Sequence, residues 1–197
     1  MKRHWLREQQ RIHRIMLRRT APFILAMAIS AALMPPAGAH AILEQKQAPL
    51  GTPYKAVFRV PHGCGDSATV RLSVHIPEGV VAVKPMAKPG WQIDITRGPY
   101  EKSYLTTHGA RMTEGVKDVI WSGGRLPNEL FDDFVLSTFI ASDLTPGATL
   151  YFPVVQECEK GTHRWVEIPA ADRPTEPLDE PAPGVTLLPK QQENSRP

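Results

Sequence analysis

Short runs of alternating apolar and polar residues follow one another along most of the chain. The clearest covers residues 68–76, where Val70, Leu72 and Val74 alternate with polar neighbours. A period of two residues indicates a β-strand with one buried face. Comparable runs rich in Val, Ile, Phe, Tyr and Trp cover residues 54–60, 80–83, 91–95, 103–107, 116–121, 134–141, 150–155 and 164–168.

Glycine and proline separate these runs, as in Pro77-Glu78-Gly79 and Lys88-Pro89-Gly90. No segment carries the long period of 3.6 residues that is typical of an amphipathic helix, and we find no internal repeat. Short strands at regular spacing with turn signals between them are typical of antiparallel sandwiches and barrels. The pattern therefore predicts an all-β fold with a single antiparallel β-sandwich domain, Ig-like or cupredoxin-like.

The charge is distributed unevenly along the 197 residues. Residues 1–39 contain seven basic residues and one acidic residue, a balance of +6. The rest of the chain contains 16 basic and 19 acidic residues, a balance of −3. A pI near 9.0 normally suggests binding to nucleic acid or to an anionic membrane. Because the positive excess is confined to the first segment, we expect no nucleic-acid partner.

The first segment has the three parts of a secretory signal peptide. A basic stretch is followed by an apolar run over residues 21–34 and then by Ala37-Gly38-Ala39. The apolar run is shorter than the roughly 20 residues that span a membrane. Residues 1–39 are thus predicted to be a signal peptide, with Met16 as a possible alternative start. The protein would be exported to the periplasm or another extracytoplasmic space, and would contact a membrane only before cleavage.

Two cleavage positions fit the preference of signal peptidase for small residues. Cleavage between Ala39 and His40 makes histidine the first residue of the mature protein. Cleavage before Ile42 also fits, but it removes His40 and leaves a bulky aliphatic residue with no evident use. We favour the first position.

The mature part divides into two segments by composition. Residues 40–170 contain the predicted strands and form the predicted domain. Residues 171–197 are rich in proline, acidic residues and glutamine, with few apolar residues to bury. Such a composition predicts a disordered tail.

Cys64 and Cys158 are the only cysteines in the chain. Both follow predicted strands, and export would place them in an oxidising compartment, which favours a disulfide between them. The alternative is a thiolate metal site that uses Cys64 with nearby His62, since soft thiolates suit Cu(I).

An N-terminal histidine offers two nitrogen ligands from one residue, namely the α-amine and the imidazole Nδ1. Their ordinary pKa values, near 8 and 6.5, allow both to lose protons near neutral pH. Two nitrogens in one plane suit Cu(II), which prefers tetragonal geometry and forms the most stable complexes among the divalent ions. If cleavage leaves His40 at the N-terminus, that residue is a candidate copper ligand.

From His40 to about residue 169 the chain resembles the YcnI-like family of exported bacterial copper-binding domains. The resemblance is carried by the order of several short motifs: Ala48-Pro49-Leu50-Gly51, Phe58-Arg59-Val60-Pro61, Ile76-Pro77-Glu78-Gly79-Val80, Lys88-Pro89-Gly90-Trp91, Val119-Ile120-Trp121-Ser122-Gly123-Gly124-Arg125-Leu126-Pro127, Asp132-Asp133-Phe134, Tyr151-Phe152-Pro153-Val154-Val155-Gln156-Glu157-Cys158 and Arg164-Trp165-Val166-Glu167.

The resemblance implies a β-sandwich that binds one Cu(II) through a mono-histidine brace, which is the α-amine and ring nitrogen of the N-terminal His40. It also implies a role in copper storage or trafficking at the cell envelope, with another envelope copper protein or a copper transporter as partner. Trp165 corresponds to a tryptophan near the metal. Asp133 corresponds to an acidic ligand or to an acceptor behind the ligands, although some relatives carry the longer Glu there.

Two other functions stay open. A copper-dependent oxidase or oxygenase would need a second histidine beside His40, and the candidates are His62, His75, His108 and His163. His163 shares a strand face with Trp165 and is the best of them. A metal-free adhesion or scaffold sandwich would leave His40 without a role. Because no nucleophile elbow, phosphate loop or zinc-protease helix is present, we expect no enzyme.

Overall fold

β-strands make up nearly all the regular secondary structure of the residues that the structure describes. The computed structural model describes residues 40–106, 109–173 and 175–191, and it contains no α-helix within those ranges. The strands are β1 (Ile42–Leu43), β2 (Gln47–Pro49), β3 (Pro53–Val60), β4 (Thr69–His75), β5 (Val80–Pro85), β6 (Gln92–Leu105), β7 (Arg111–Leu126), β8 (Asp132–Ile140), β9 (Thr149–Tyr151), β10 (Val154–Cys158), β11 (Thr162–Trp165) and β12 (Gly184–Leu188).

The strands form three sheets. The first has the order β1-β3-β8-β5, the second has the order β11-β10-β4-β7-β6, and the third has the order β2-β12-β9. All pairs are antiparallel except β12 with β2. The short first strand β1 pairs with β3, with Ile42 opposite Arg59. The chain therefore enters the fold at the edge of the first sheet.

The core lies between the two larger sheets and is built around aromatic side chains. Phe134 of the first sheet makes edge-to-face contacts with Trp121 of the second sheet, at 5.4 Å between ring centroids, and with Trp91, at 5.1 Å. Trp121 is fully buried, and Trp91 packs against the core from the turn before β6. These contacts join the two larger sheets and confirm the predicted β-sandwich.

Glycine is required where Trp91 crosses β7. A Cβ atom on Gly124 would stand 2.2 Å from two atoms of the Trp91 ring. No real Cβ makes so short a contact, so any side chain at this position would displace the indole from Phe134. Gly124 therefore belongs to the packing of the core rather than to a turn.

The prediction of a disordered tail is wrong for the part that contains β12. Residues 184–188 pair with β2 on one side, with Thr186 opposite Gln47, and with β9 on the other. Val185 and Leu187 are buried in the main core. The folded region thus extends to at least Leu188, beyond the predicted boundary at residue 170.

The sequence did not predict β12 because most of the core against which this strand packs comes from other strands. Five residues with two buried side chains could not form a core alone. β12 completes a core that other strands supply, so it needs only the alternation of Val185 and Leu187. The flanking prolines Pro183 and Pro189 gave the segment the composition of a disordered tail, although they stand just outside the strand.

Cys64 and Cys158 form the predicted disulfide, with an S–S distance of 2.06 Å. Both sulfurs are used in this bond, so the alternative thiolate metal site is wrong. The bond ties the turn after β3 to the end of β10, 94 residues later. Closing a loop of that length stabilises the fold by up to about 4–5 kcal/mol in the chain-entropy model.

The predicted signal peptide, residues 1–39, lies outside the described residues, as do His108 and the last part of the predicted tail, residues 192–197. Within the described ranges, no helix has the length and apolar character that crossing a membrane requires.

Leu187→Ala tests whether β12 is an integral part of the domain. We expect a loss of about 2–4 kcal/mol in the free energy of unfolding, because the substitution leaves a cavity in the main core. The measurement is urea denaturation of the protein that begins at His40. Leu188→Ala is the matched control, because Leu188 lies on the opposite, half-exposed face and should lose less than about 1 kcal/mol. Equal and small losses in both variants would contradict an ordered β12.

Candidate metal centre

His40, two residues before β1 of the first sheet, lies against Trp165 of β11 in the second sheet. The two rings meet edge to face, with centroids 5.3 Å apart and planes 73° from parallel. The His40 side chain is half-buried, and its Nε2 lies 3.3 Å from the backbone oxygen of Asp179. Thus a residue from the start of the domain is held between β11 and a segment near the end of the chain.

The contact with Asp179 selects one form of the His40 ring. A carbonyl oxygen can only accept a hydrogen bond, so Nε2 of His40 carries the proton and donates it. In the neutral ring, Nδ1 then keeps its free electron pair. Nδ1 is the ring nitrogen that can form a chelate together with the α-amine of the same residue. The residues present therefore fit the predicted brace.

The α-amine exists only after processing. While residue 39 is attached, the backbone nitrogen of His40 is an amide and cannot act as a simple amine ligand. The predicted cleavage between Ala39 and His40 would convert it into the second nitrogen of the predicted chelate.

Trp165 is part of the core and also contacts the His40 ring. Only 4% of its surface is exposed, and it packs in the main hydrophobic cluster. Its indole Nε1 donates a hydrogen bond to Oε1 of Gln156 at 3.2 Å. Its ring also stacks on His163, with centroids 4.8 Å apart and planes 22° from parallel. Of the predicted site residues, Trp165 thus contacts both His163 and His40.

Gln156 holds this region together and was not predicted. Its side chain is 1% exposed, and its Nε2 donates to the backbone oxygen of His62 at 2.7 Å and to Oγ1 of Thr69 at 2.8 Å. With the bond from Trp165, both ends of the amide are satisfied. The available signal was a glutamine on the same strand face as buried Val154, where a polar group needs partners.

A segment of the predicted tail completes the surroundings, and we call residues 179–188 the C-terminal strap. It runs beside Glu167, whose backbone oxygen accepts from the amide of Ala182 at 2.8 Å. Its Glu180 accepts from His163 Nδ1 at 2.8 Å and from the amide of Arg164 at 2.9 Å. Partial burial alone would raise the pKa of Glu180, but these hydrogen bonds outweigh it and the pKa lies below its ordinary value.

The remaining histidines are placed differently. His62 lies beside His163, with ring centroids 6.4 Å apart. His75 is exposed on β4, and its Nδ1 bonds Oδ1 of Asp118 at 2.8 Å. Within the described residues, no ring contact joins His40 directly to another histidine.

Asp133 lies two strands from β1, where its carboxylate is bound by Arg59. Nε and one terminal nitrogen of Arg59 donate to Oδ1 and Oδ2 of Asp133, each at 2.9 Å. The structure thus places this carboxylate against a guanidinium group rather than against His40. As a copper ligand, Asp133 stays a prediction, and it would have to leave a bidentate pair.

The side-chain donors near His40 are few. Across the described ranges, no group of three or more His, Cys, Asp or Glu side chains is arranged to hold a metal ion. The structure brings together the His40 imidazole with its free Nδ1, the Trp165 ring that packs against it and the Asp179 carbonyl that orients it.

Comparisons with known proteins agree with this fold. Residues 40–187 match the model of a family described as Domain of unknown function (DUF1775). A protein of Nocardia farcinica with an immunoglobulin-like fold is 24% identical, covering 76% of this chain and 98% of its own, with a TM-score of 0.55. A cohesin module from a Clostridium perfringens family 33 glycoside hydrolase is 10% identical, covering 77% and 97%, with a TM-score of 0.44. No curated protein matches the chain. At these identities, the first structural likeness supports the Ig-like fold alone.

Gln156→Leu tests the role of the buried amide. The leucine side chain fills the site but leaves the Trp165 Nε1–H without an acceptor, so we expect a loss of about 2–3 kcal/mol in the free energy of unfolding. Denaturation followed by tryptophan fluorescence measures it. Gln92→Leu is the control, because Gln92 is exposed on β6 and should change stability by less than about 0.5 kcal/mol. If Gln156→Leu is as stable as that control, the network does not hold the site.

Proposed function

This chain belongs to the DUF1775 family of YcnI-like proteins, and from that premise we propose that it binds one Cu(II) through His40 after export and processing. The α-amine and Nδ1 of His40 would be the two nitrogen ligands. The observation that carries the proposal is the contact of His40 Nε2 with the Asp179 carbonyl, which leaves Nδ1 free. A second contact, with Trp165, fixes the side on which the ring packs.

The chemistry of the donor pair favours copper over the other common ions. Amine and imidazole nitrogens are borderline ligands, and Cu(II) binds such sites most tightly among the divalent first-row ions. A hydrogen bond from the outer ring nitrogen to a carbonyl is also the usual way in which proteins orient a ligating histidine. The contact with Asp179 has this role here.

The half-exposed position of His40 supports storage or transfer. A chelate of two nitrogens leaves other positions of the metal to water or to a carboxylate, for which Asp133 remains a prediction. An acceptor protein could therefore bring in its own ligands before the His40 nitrogens leave. We propose another envelope copper protein or a copper transporter as that acceptor, and binding with transfer rather than redox catalysis as the activity.

The disulfide supports a location outside the cytoplasm. A bond between Cys64 and Cys158 persists in oxidising compartments outside the cytoplasm, which is compatible with export. Removal of residues 1–39 in that compartment would expose the His40 amine where the protein meets copper.

Acetylation of the His40 α-amine tests the chelate. The protein that begins at His40 should bind one equivalent of Cu(II) at its tightest site, and the acetylated protein should bind at this site about 100-fold more weakly or worse, because the amine becomes an amide with no other amine beside it. Competition titration against a copper chelator measures the affinity. Replacement of exposed His75 by Ala controls for adventitious imidazole binding and should leave the tightest site unchanged. Equal affinity in the acetylated protein would show that the amine is not a ligand.

Trp165→Phe tests the position of the copper. Cu(II) quenches the fluorescence of a nearby indole, and Trp165 is the tryptophan whose ring touches His40. We expect copper to quench part of the emission of the protein that begins at His40, and we expect Trp165→Phe to lose most of that quenching. Trp91→Phe is the control, because Trp91 packs on Phe134 instead and its replacement should leave the quenching in place. Quenching that follows Trp91 rather than Trp165 would place the copper elsewhere.

A further inference from the structure

His62 and His163 form a pair of imidazoles that the proposed brace does not use. Their centroids are 6.4 Å apart, and their planes are 77° from parallel. His163 stands on β11, and His62 stands in the turn after β3. Both side chains are half-buried, so the pair is open to solvent on one side.

Both rings have their Nδ1 atoms engaged by acceptors. Nδ1 of His62 lies 2.5 Å from the backbone oxygen of Gly63, and Nδ1 of His163 lies 2.8 Å from Oε1 of Glu180. A carbonyl and a carboxylate oxygen both accept, so each Nδ1 carries the proton. Each neutral ring therefore keeps a free electron pair on Nε2. Histidines that bind a metal through one ring nitrogen usually donate a hydrogen bond from the other ring nitrogen to an oxygen, as both of these rings do.

Contacts with the surrounding fold hold both His62 and His163 in place. The buried amide of Gln156 binds the backbone oxygen of His62, and Gln156 is the residue opposite His163 in the pairing of β10 with β11. The disulfide of Cys64 ties the turn that carries His62 to the end of β10. The stacking of His163 on Trp165 limits rotation of that ring.

We propose that His62 and His163 together bind a second transition-metal ion through their Nε2 atoms. Two imidazoles that share a metal with bonds of about 2.1 Å have centroids about 5–6 Å apart, and the observed separation of 6.4 Å lies close to that range. Imidazole nitrogen suits Zn(II) and copper. Two protein ligands leave the remaining positions to water or to a partner, so this is an exchange site beyond the brace at His40.

His75 shows why the pair, and not one histidine with an oxygen partner, carries the proposal. His75 has the same contact from Nδ1 to a carboxylate, with Asp118 at 2.8 Å. It stands exposed on β4, and within the described residues no second imidazole contacts its ring. His75 is therefore a matched control with one free Nε2 instead of two.

The test uses the protein acetylated on the α-amine of His40, which removes the brace and leaves His62 and His163 unchanged. Zn(II) is the probe, followed by isothermal titration calorimetry. We expect one equivalent to bind. Replacement of His62 by Ala, or of His163 by Phe, should weaken binding by about 100-fold or more, and His75→Ala should have no effect. Glu180→Gln should weaken binding by about 10–100-fold, because Glu180 positions His163.

Unchanged affinity in the His62 or the His163 variant, or an equal loss in His75→Ala, would overturn the pair as a metal site. Phe at position 163 keeps a ring against Trp165, and thermal unfolding checks the fold of each variant. If a variant unfolds, the decision comes from NMR of the parent protein, where Zn(II) should shift the Nε2 signals of His62 and His163 but not that of His75. Failure of the brace would appear instead as copper binding that is unaffected by acetylation of the His40 amine.

Discussion

The hydrogen bonds of the Gln156 side chain are the interaction on which the arrangement of the candidate site depends. One buried amide joins three parts of the fold, namely the indole of Trp165, the hydroxyl of Thr69 and the backbone of His62. An apolar residue at this position would leave buried polar atoms without partners, at a cost of about 1–3 kcal/mol each. The position of Trp165 in turn determines where the rings of His40 and His163 can pack. A single polar residue inside the sandwich thus sets the geometry at its edge.

The C-terminal strap supplies the second constraint, which is chemical rather than steric. Its two oxygen acceptors, the Asp179 carbonyl and the Glu180 carboxylate, hold protons on opposite types of ring nitrogen. His40 is protonated on Nε2 and presents Nδ1, whereas His163 is protonated on Nδ1 and presents Nε2. Nδ1 suits a chelate with the amine of the same residue, and Nε2 suits binding from a separate side chain. The strap therefore leaves different ring nitrogens free on two histidines that both pack on Trp165.

The sandwich and the disulfide could be predicted from the sequence because both depend on local patterns, namely alternation and the pairing of two cysteines in an oxidising compartment. His40 and Trp165 were predicted from the N-terminal chemistry and the family resemblance, and the structure brings their rings together. β12 was missed because a strand that completes an existing core needs few apolar residues of its own. The positions of Gln156 and Glu180 follow from long-range pairing, which a single sequence does not display.

The contact between His40 and Asp179 spans 139 residues of sequence. A ribosome makes His40 early and the strap late, so the ring of His40 has no acceptor for its Nε2 proton until the whole domain has been synthesised and folded. A chain truncated before residue 179 would keep its histidine and lose the carbonyl that selects Nδ1 as the free nitrogen. The completed contact therefore forms only in a folded chain that includes residue 179, and it couples the state of the His40 ring to the presence of the C-terminal strap.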